Sequence, residues 1–361
     1  MKKVIKLICI ILPLLIFVVA VNFYVDPANT YRAVPVSNRI ISAFRSGQNM
    51  IISENYSDRT LIKKIILETD ISSPTIVMGS SRGAQISSDI LGSESLNTSV
   101  TAAALEDLAA IWQMYLDSGK ADDLENVVLS IDPWIFNENN NEARYQSYYY
   151  SYAKQFFRSC GLDLNTKNNL RYLGTGTNCI SVAYFQASVK ALPARIAQDP
   201  IELFVPTDMP QAMGSPVLKS DNSYVYPMNY EYAEPTAVYD RVSMALRGIV
   251  DTFEEAKHPS ARNTAVFENL ILSMQSKGIN VYFVISPYNP YVWDVMAADP
   301  ERYSYIFEVE DYLKDFAGNN GIPVAGSYDP GACGFSYGEF MDALHINSAA
   351  TAILLEGLLK R

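Results

Sequence analysis

Thr75-Ile76-Val77-Met78-Gly79-Ser80-Ser81-Arg82-Gly83 is the stretch on which the reading of this chain turns. The run from Thr75 to Met78 has the length and bounding of a buried strand, and it stops at a glycine, two serines and a second glycine. A serine on a tight turn off a buried strand is both exposed and fixed, with backbone N–H groups free beside it. Acyl transfer needs both conditions. Ser81 is therefore the candidate nucleophile. The plain alternative is a small-residue turn whose hydroxyls bond their own backbone.

The partner signal lies near the other end, in Phe340-Met341-Asp342-Ala343-Leu344-His345-Ile346-Asn347, just before a final apolar run. His345 is one of two histidines in the chain. An aspartate three residues before it, outside a helix, is placed to orient the imidazole and stabilise its charged form. The competing reading makes Asp342 or Asn347 a helix cap and His345 a surface residue. The joint Ser81, Asp342 and His345 pattern is much less expected by chance than either half.

Outward from Ser81, strands and helices alternate. Arg59 to Glu68 reads as a helix leading into the nucleophile strand, Ser95 to Val100 as a second strand, Leu105 to Leu116 as a helix and Asn126 to Ile131 as a third strand. Further on, Ala261 to Ser276, Ile306 to Phe316 and Ala349 to Leu359 read as helices, with strands at Asn280 to Ser286 and Ile322 to Ala325. The alternation predicts an α/β fold, a three-layer α/β/α arrangement around a parallel sheet of about five strands. Functional loops gather at the carboxyl ends of such strands, so Ser81, Asp132, Ser286 to Pro290 and Asp342 to His345 should converge. Gly79-Ser80-Ser81-Arg82-Gly83 also fits the G-x-S-x-G elbow of α/β-hydrolases, but that elbow follows several strands, and here the serine sits on the first.

A strand ending in G-[DS]-S with a D-x-x-H before the last helix resembles the SGNH/GDSL hydrolase superfamily. It is most similar to the membrane-anchored branch that includes the D-alanyl-lipoteichoic acid biosynthesis D protein and alginate O-acetylation proteins. Gly79-Ser80-Ser81 matches that branch's G-S-S, and Asp342 with His345 matches its D-x-x-H. Asn97-Thr98-Ser99-Val100-Thr101-Ala102-Ala103-Ala104-Leu105-Glu106-Asp107 resembles its N-x-G-x-x-G-A-S-x-E-D segment, with Ser99 and Ala102 where glycines are usual. Val127-Val128-Leu129-Ser130-Ile131-Asp132-Pro133-Trp134 lacks the G-x-N-D that supplies the oxyanion asparagine. The resemblance covers roughly residues 74 to 135 and 260 to 361. It implies an SGNH-hydrolase (flavodoxin-like) fold, a Ser81–His345–Asp342 triad, and work on envelope polymers beside a membrane-bound O-acyltransferase. Backbone N–H groups of Ser81 and Ser99 are the oxyanion donors on offer, with the side chains of Asn97 or Asn289 in place of the missing asparagine. Asp132 is open between binding polar backbone and binding a substrate hydroxyl.

Val4 to Val25 is almost wholly apolar and follows Lys2 and Lys3, with Lys6 just inside, so residues 1–25 read as one membrane-spanning anchor with the basic end in the cytoplasm. No small-residue cleavage site follows, which favours an uncleaved single-pass anchor with the remaining chain on the extracytoplasmic side of the cell membrane. Residues 26–73 read as a connector and leading helix, and 74–361 as the catalytic domain. The hydrophobic content of 49% supports a core. The net charge of −11 includes three lysines in the anchor, so the body is more acidic still and repels nucleic-acid backbones. No dinucleotide, P-loop or zinc-protease motif is present and no cysteine has metal-ligand spacing, so no cofactor or metal is expected. Cys160 and Cys179 either close a loop of about twenty residues or stay reduced.

Residues 137–260 interrupt the alternation with Tyr145-Gln146-Ser147-Tyr148-Tyr149-Tyr150-Ser151-Tyr152 and a Pro- and Tyr-rich run from Pro206 to Tyr239. These aromatics either stack on sugar rings or pack the insertion onto its domain. His258, in a polar loop, reads as surface. The expected function is a serine esterase or O-acyltransferase acting on acyl esters of a cell-envelope glycan or polymer. The alternative is a catalytically inactive SGNH-like scaffold or glycan-binding protein of an envelope-modification complex.

Overall fold

The computed structural model describes residues 2–26, 36–52, 56–164, 180, 182–196, 204–254, 256 and 258–360. The strands are β1 (Asn49–Ile51), β2 (Thr75–Met78), β3 (Leu96–Asn97), β4 (Asn126–Ser130), β5 (Val205–Thr207), β6 (Val217–Leu218), β7 (Tyr224–Val225), β8 (Asn280–Ile285) and β9 (Val324–Gly326). Five of them form a parallel sheet in the order β3-β2-β4-β8-β9. The chain is thus α/β, with Ser81 just past the carboxyl end of β2.

The inner strands β2, β4 and β8 are buried on both faces along most of their length, which is why they read as continuous apolar runs rather than as alternation. Ile76, Met78, Val127, Leu129, Phe283 and Ile285 join the main core under helices Asp58–Glu68, Leu105–Ser118, Ala261–Ser276 and Ser304–Asn319. Val77, Val128, Tyr282 and Val284 face the other way, against Ile86, Leu355 and Leu358. One face carries a thick helical layer and the other a thin cover from the chain's last α-helix, Ser348–Leu354, the residues after it, and the turn after Ser81.

The connector is structured: Val36–Arg45 is a helix whose Val36, Ile40, Ile41 and Phe44 recur at helical spacing, and β1 follows it. β1 was illegible because its partners are remote. It lies between β5 and β6 in an antiparallel sheet of order β5-β1-β6-β7, so the insertion supplies the other strands. Of the two readings of the tyrosine cluster at 145–152, packing of the insertion onto its domain holds for two of its members. Tyr145 and Tyr149 are fully buried, and the Tyr149 hydroxyl donates to the Arg59 carbonyl at 2.9 Å.

Lys2–Val25 is one helix, with Pro13 inside it. The Tyr184 hydroxyl donates to Asp26 Oδ1 at 2.6 Å and Ser188 Oγ to Asn22 Oδ1 at 2.9 Å, joining its end to the insertion helix Val182–Ile196. Among the described residues, whose side chains in the first helix begin at Ile11, no helix is long and apolar enough to cross a membrane. Cys179 lies outside the described residues.

A buried ion pair sets the start of the helix Leu105–Ser118. Arg59 Nε and Nη2 donate to Asp107 Oδ1 and Oδ2, each at 2.8 Å, and the Asp107 carboxylate also accepts the Ala104 N–H at 3.0 Å. Both side chains are almost inaccessible to solvent. Removing one partner of such a pair leaves an uncompensated charge. Asp107→Ala is expected to lower stability by about 3–5 kcal/mol, whereas Arg59→Met with Asp107→Leu should lose far less. Urea denaturation of the three chains checks this, and equal losses in the single and double variants would refute it.

Candidate active site

The turn after β2 is shaped by contact with Ser130 at the end of β4. A Cβ on Gly79 would lie 2.7 Å from the Ser130 carbonyl oxygen, and one on Gly83 would lie 2.7 Å from Ser130 Cβ. Only glycines let the two strand ends approach so closely, and between those glycines the chain turns outward with Ser81 partly exposed.

Arg82 points the other way, into the protein. Its Nη1 donates to Asp132 Oδ1 at 3.0 Å, its Nε to the Leu344 carbonyl at 3.1 Å, and its Nη2 to the carbonyls of Pro287, at 2.8 Å, and Ser286. The guanidinium also lies 4.3 Å from the ring centre of Tyr288. Burial works against its charge, but Tyr288, Asp132 and Tyr328 push the other way and hold its pKa above the ordinary arginine value. One side chain thus ties the ends of β2, β4 and β8 to the loop that carries His345.

That loop places His345 Nε2 2.9 Å from Ser81 Oγ. On its other side, Nδ1 lies 2.8 Å from Asp342 Oδ2 and 3.0 Å from Oδ1. Asp342 Oδ1 also accepts the backbone N–H groups of Leu344, at 2.7 Å, and His345, at 2.9 Å. Burial alone would raise the Asp342 pKa, but the His345 imidazole and these donors hold it well below the usual carboxylate range. An ionised carboxylate only accepts, so Nδ1 carries the proton and Nε2 is left to accept one from Ser81.

The other sequence candidates are occupied in different ways. Asn97 Nδ2 donates to the carbonyls of Gly83, Ala84 and Ile86, and its Oδ1 accepts the Ser99 backbone N–H at 2.9 Å. Both donors are thus engaged within the protein, the Asn97 amide by the turn after Ser81 and the Ser99 N–H by the Asn97 side chain. Asn289 caps helix Pro290–Ala297 by accepting the Tyr291 N–H, and its Nδ2 donates to the Asp342 carbonyl at 3.2 Å. Asp132 pairs with Arg82. Among the described residues no acceptor takes the Ser81 backbone N–H, which remains the donor on offer. The Ser99 hydroxyl is buried with no hydrogen-bond partner among the described residues. His258 is exposed, with Nδ1 2.7 Å from Glu308 Oε2.

Three contributors escaped the sequence reading. Arg82 had a signal: a charge inside a small-residue turn off a buried strand demands a buried partner, and Asp132 ends a neighbouring strand. Tyr226 and Tyr230 had none, since nothing local separates them from the other tyrosines of the insertion. The Tyr230 hydroxyl donates to Asp342 Oδ2 at 2.8 Å, and the Tyr226 ring lies 5.6 Å from the His345 ring. Compared with the models of known protein families and with the curated proteins, the chain matches none.

Two measurements follow from this geometry. Ala102 stands where the resembled segment has glycine, and its φ of +47° is a left-handed conformation that a Cβ disfavours. Ala102→Gly is expected to raise stability by about 1 kcal/mol in urea denaturation, and a loss of stability would refute the strain. The second concerns pH. The Asp342 pKa is depressed by folding, so its contribution is full above the unfolded carboxylate value of about 4 and is lost as pH falls through the lower folded value. The stability difference between the natural chain and Asp342→Asn should therefore shrink below about pH 4, and a pH-independent difference would contradict it.

Proposed function

We propose that this chain is a membrane-anchored, extracytoplasmic serine esterase or O-acyltransferase of SGNH type, acting on acyl esters of a cell-envelope glycan or polymer. The observation that carries the reading is the continuous hydrogen-bonded path from Ser81 Oγ through His345 to Asp342, with links of 2.9 and 2.8 Å. The apolar sequence from Val4 to Val25, preceded by lysines, supports the anchor and the orientation.

In this reading His345 Nε2 takes the Ser81 proton as Oγ attacks the acyl carbonyl carbon, and charge gathers on the carbonyl oxygen near the Ser81 N–H. The imidazolium, stabilised by Asp342, returns the proton to the departing oxygen as the ester C–O bond breaks. The acyl-serine is then cleared by the same steps in reverse, with water or a sugar or polyol hydroxyl as the second nucleophile. A membrane-bound O-acyltransferase is the partner that the resemblance implies. No cofactor enters the scheme.

A specific observation favours a second reading, an inactive scaffold or glycan-binding protein: Asn97, the Ser99 N–H and Asn289 are all engaged away from an oxyanion. Peptide-mapped labelling of the full-length chain with a fluorophosphonate, beside Ser81→Ala and His345→Ala, separates the two. The enzyme reading expects an adduct on Ser81 that both substitutions abolish. A folded chain that takes no label at Ser81 would instead support the scaffold.

A further inference from the structure

Asp342 Oδ2 is the oxygen nearest His345 Nδ1, and it also accepts the Tyr230 hydroxyl at 2.8 Å. Tyr230 lies within the short helix Met228–Glu231 of the insertion, more than a hundred residues before the carboxylate it meets. Its ring is held from two sides. The Arg241 guanidinium lies 3.9 Å from the ring centre, and the Tyr226 ring stacks at 5.6 Å and an 18° tilt. Arg241 Nη1 further donates to the Tyr230 carbonyl at 3.1 Å and to the Met341 carbonyl at 2.9 Å, the latter next to Asp342 in the chain. The insertion therefore grips both the carboxylate and the backbone that carries it.

We propose that Tyr230 is a positioning residue of the triad, its hydroxyl fixing the Asp342 carboxylate against His345 while Arg241 locks the tyrosine in place. The proposal rests on reading Ser81, His345 and Asp342 as a catalytic triad. A phenol that donates to the carboxylate draws off part of the negative charge facing the imidazole, so Tyr230 both orients Asp342 and tempers its hold on the imidazolium. Burial and the neighbouring Asp342 keep the phenol pKa raised, so it remains a donor throughout the working pH range. The groups facing His345 are Asp342 on its own loop, Tyr226 and Tyr230 from the insertion with Arg241 behind them, and the Arg82–Asp132 pair on the sheet side. Among these, Tyr230 is the hydroxyl bonded to Asp342.

The test reads His345 directly. With two histidines in the chain, nitrogen-edited NMR of the full-length protein resolves both imidazoles, and the exposed His258 serves as an internal reference. Tyr230→Phe keeps the ring but removes the donor. It is expected to raise the His345 titration midpoint by about half a unit, leave His258 in place, and move the acid limb of fluorophosphonate labelling by the same amount. Labelling at neutral pH should slow about three- to tenfold. Arg241→Met, which unlocks the ring, should produce part of the same displacement, and decides the matter if Tyr230→Phe does not fold. An unchanged His345 midpoint in a folded variant overturns the proposal. If the midpoint moves but the natural chain never takes label on Ser81, the clamp stands and the enzyme reading falls.

Discussion

The Arg82 guanidinium is the constraint on which the site depends. Its donors reach Asp132, the carbonyls of Ser286 and Pro287, and the Leu344 carbonyl, and its plane packs on Tyr288. Taking such a charge out of water costs several kcal/mol, and one carboxylate does not reliably offset it. The additional carbonyls matter for that reason. They are the backbone groups at the strand end and loop that must be aligned for Ser81 to meet His345. A rigid planar fork satisfies several acceptors only in one arrangement, so the interaction is better understood as selecting a geometry than as supplying stability. Because Arg82 is covalently next to Ser81, fixing the one fixes the other.

The insertion is continuous with this arrangement. The Asn97 N–H donates to the Asp221 carbonyl at 2.8 Å, Asn222 Nδ2 to the Asn97 carbonyl at 2.7 Å, and the Tyr224 N–H to the Ala84 carbonyl at 2.7 Å. The turn between β6 and β7 is thereby bonded to the edge strand β3, and the start of β7 to the turn after Ser81. Since β1 sits between β5 and β6, residues before the nucleophile strand complete the same small sheet. The segments 49–51, 204–231 and 340–348 therefore act as one wall. Asn97, one of two side chains offered in place of the missing oxyanion asparagine, joins the edge strand, the turn after Ser81 and the insertion.

Legibility tracked the range of the interaction. Runs such as Val127 to Ser130 and Asn280 to Ile285 announced themselves because a strand buried on both faces must be apolar throughout, and the parallel sheet followed from the helices between them. Ser81, Asp342 and His345 were legible because their residue types are rare in that spacing and order. What escaped notice depended on remote partners. A three-residue strand such as β1 carries no period of its own, and Tyr230 differs from its neighbours only in what lies across from it. The engagement of Asn97, the Ser99 N–H and Asn289 within the protein was hidden for a related reason. A backbone N–H or a side-chain amide has the same chemistry whether it faces a substrate or an acceptor elsewhere in the protein, and only the folded chain decides which.

In the proposed acyl-transfer reading of this site, activation of Ser81 and stabilisation of a developing oxyanion are separable. A placed general base is worth about 10²–10⁴ in rate, and each oxyanion donor about 10²–10³. The base side is fully built, with His345 in contact with both Ser81 and Asp342 and the carboxylate accepting four donors. The other side offers the Ser81 N–H, while its expected companions brace the turn. A reagent with a good leaving group reports mainly on the base, whereas turnover of a stable ester depends on the donors. On the proposed enzyme reading, a Ser81 that labels readily while simple esters are cleaved slowly would place the deficit on the donor side of the site and not on the base.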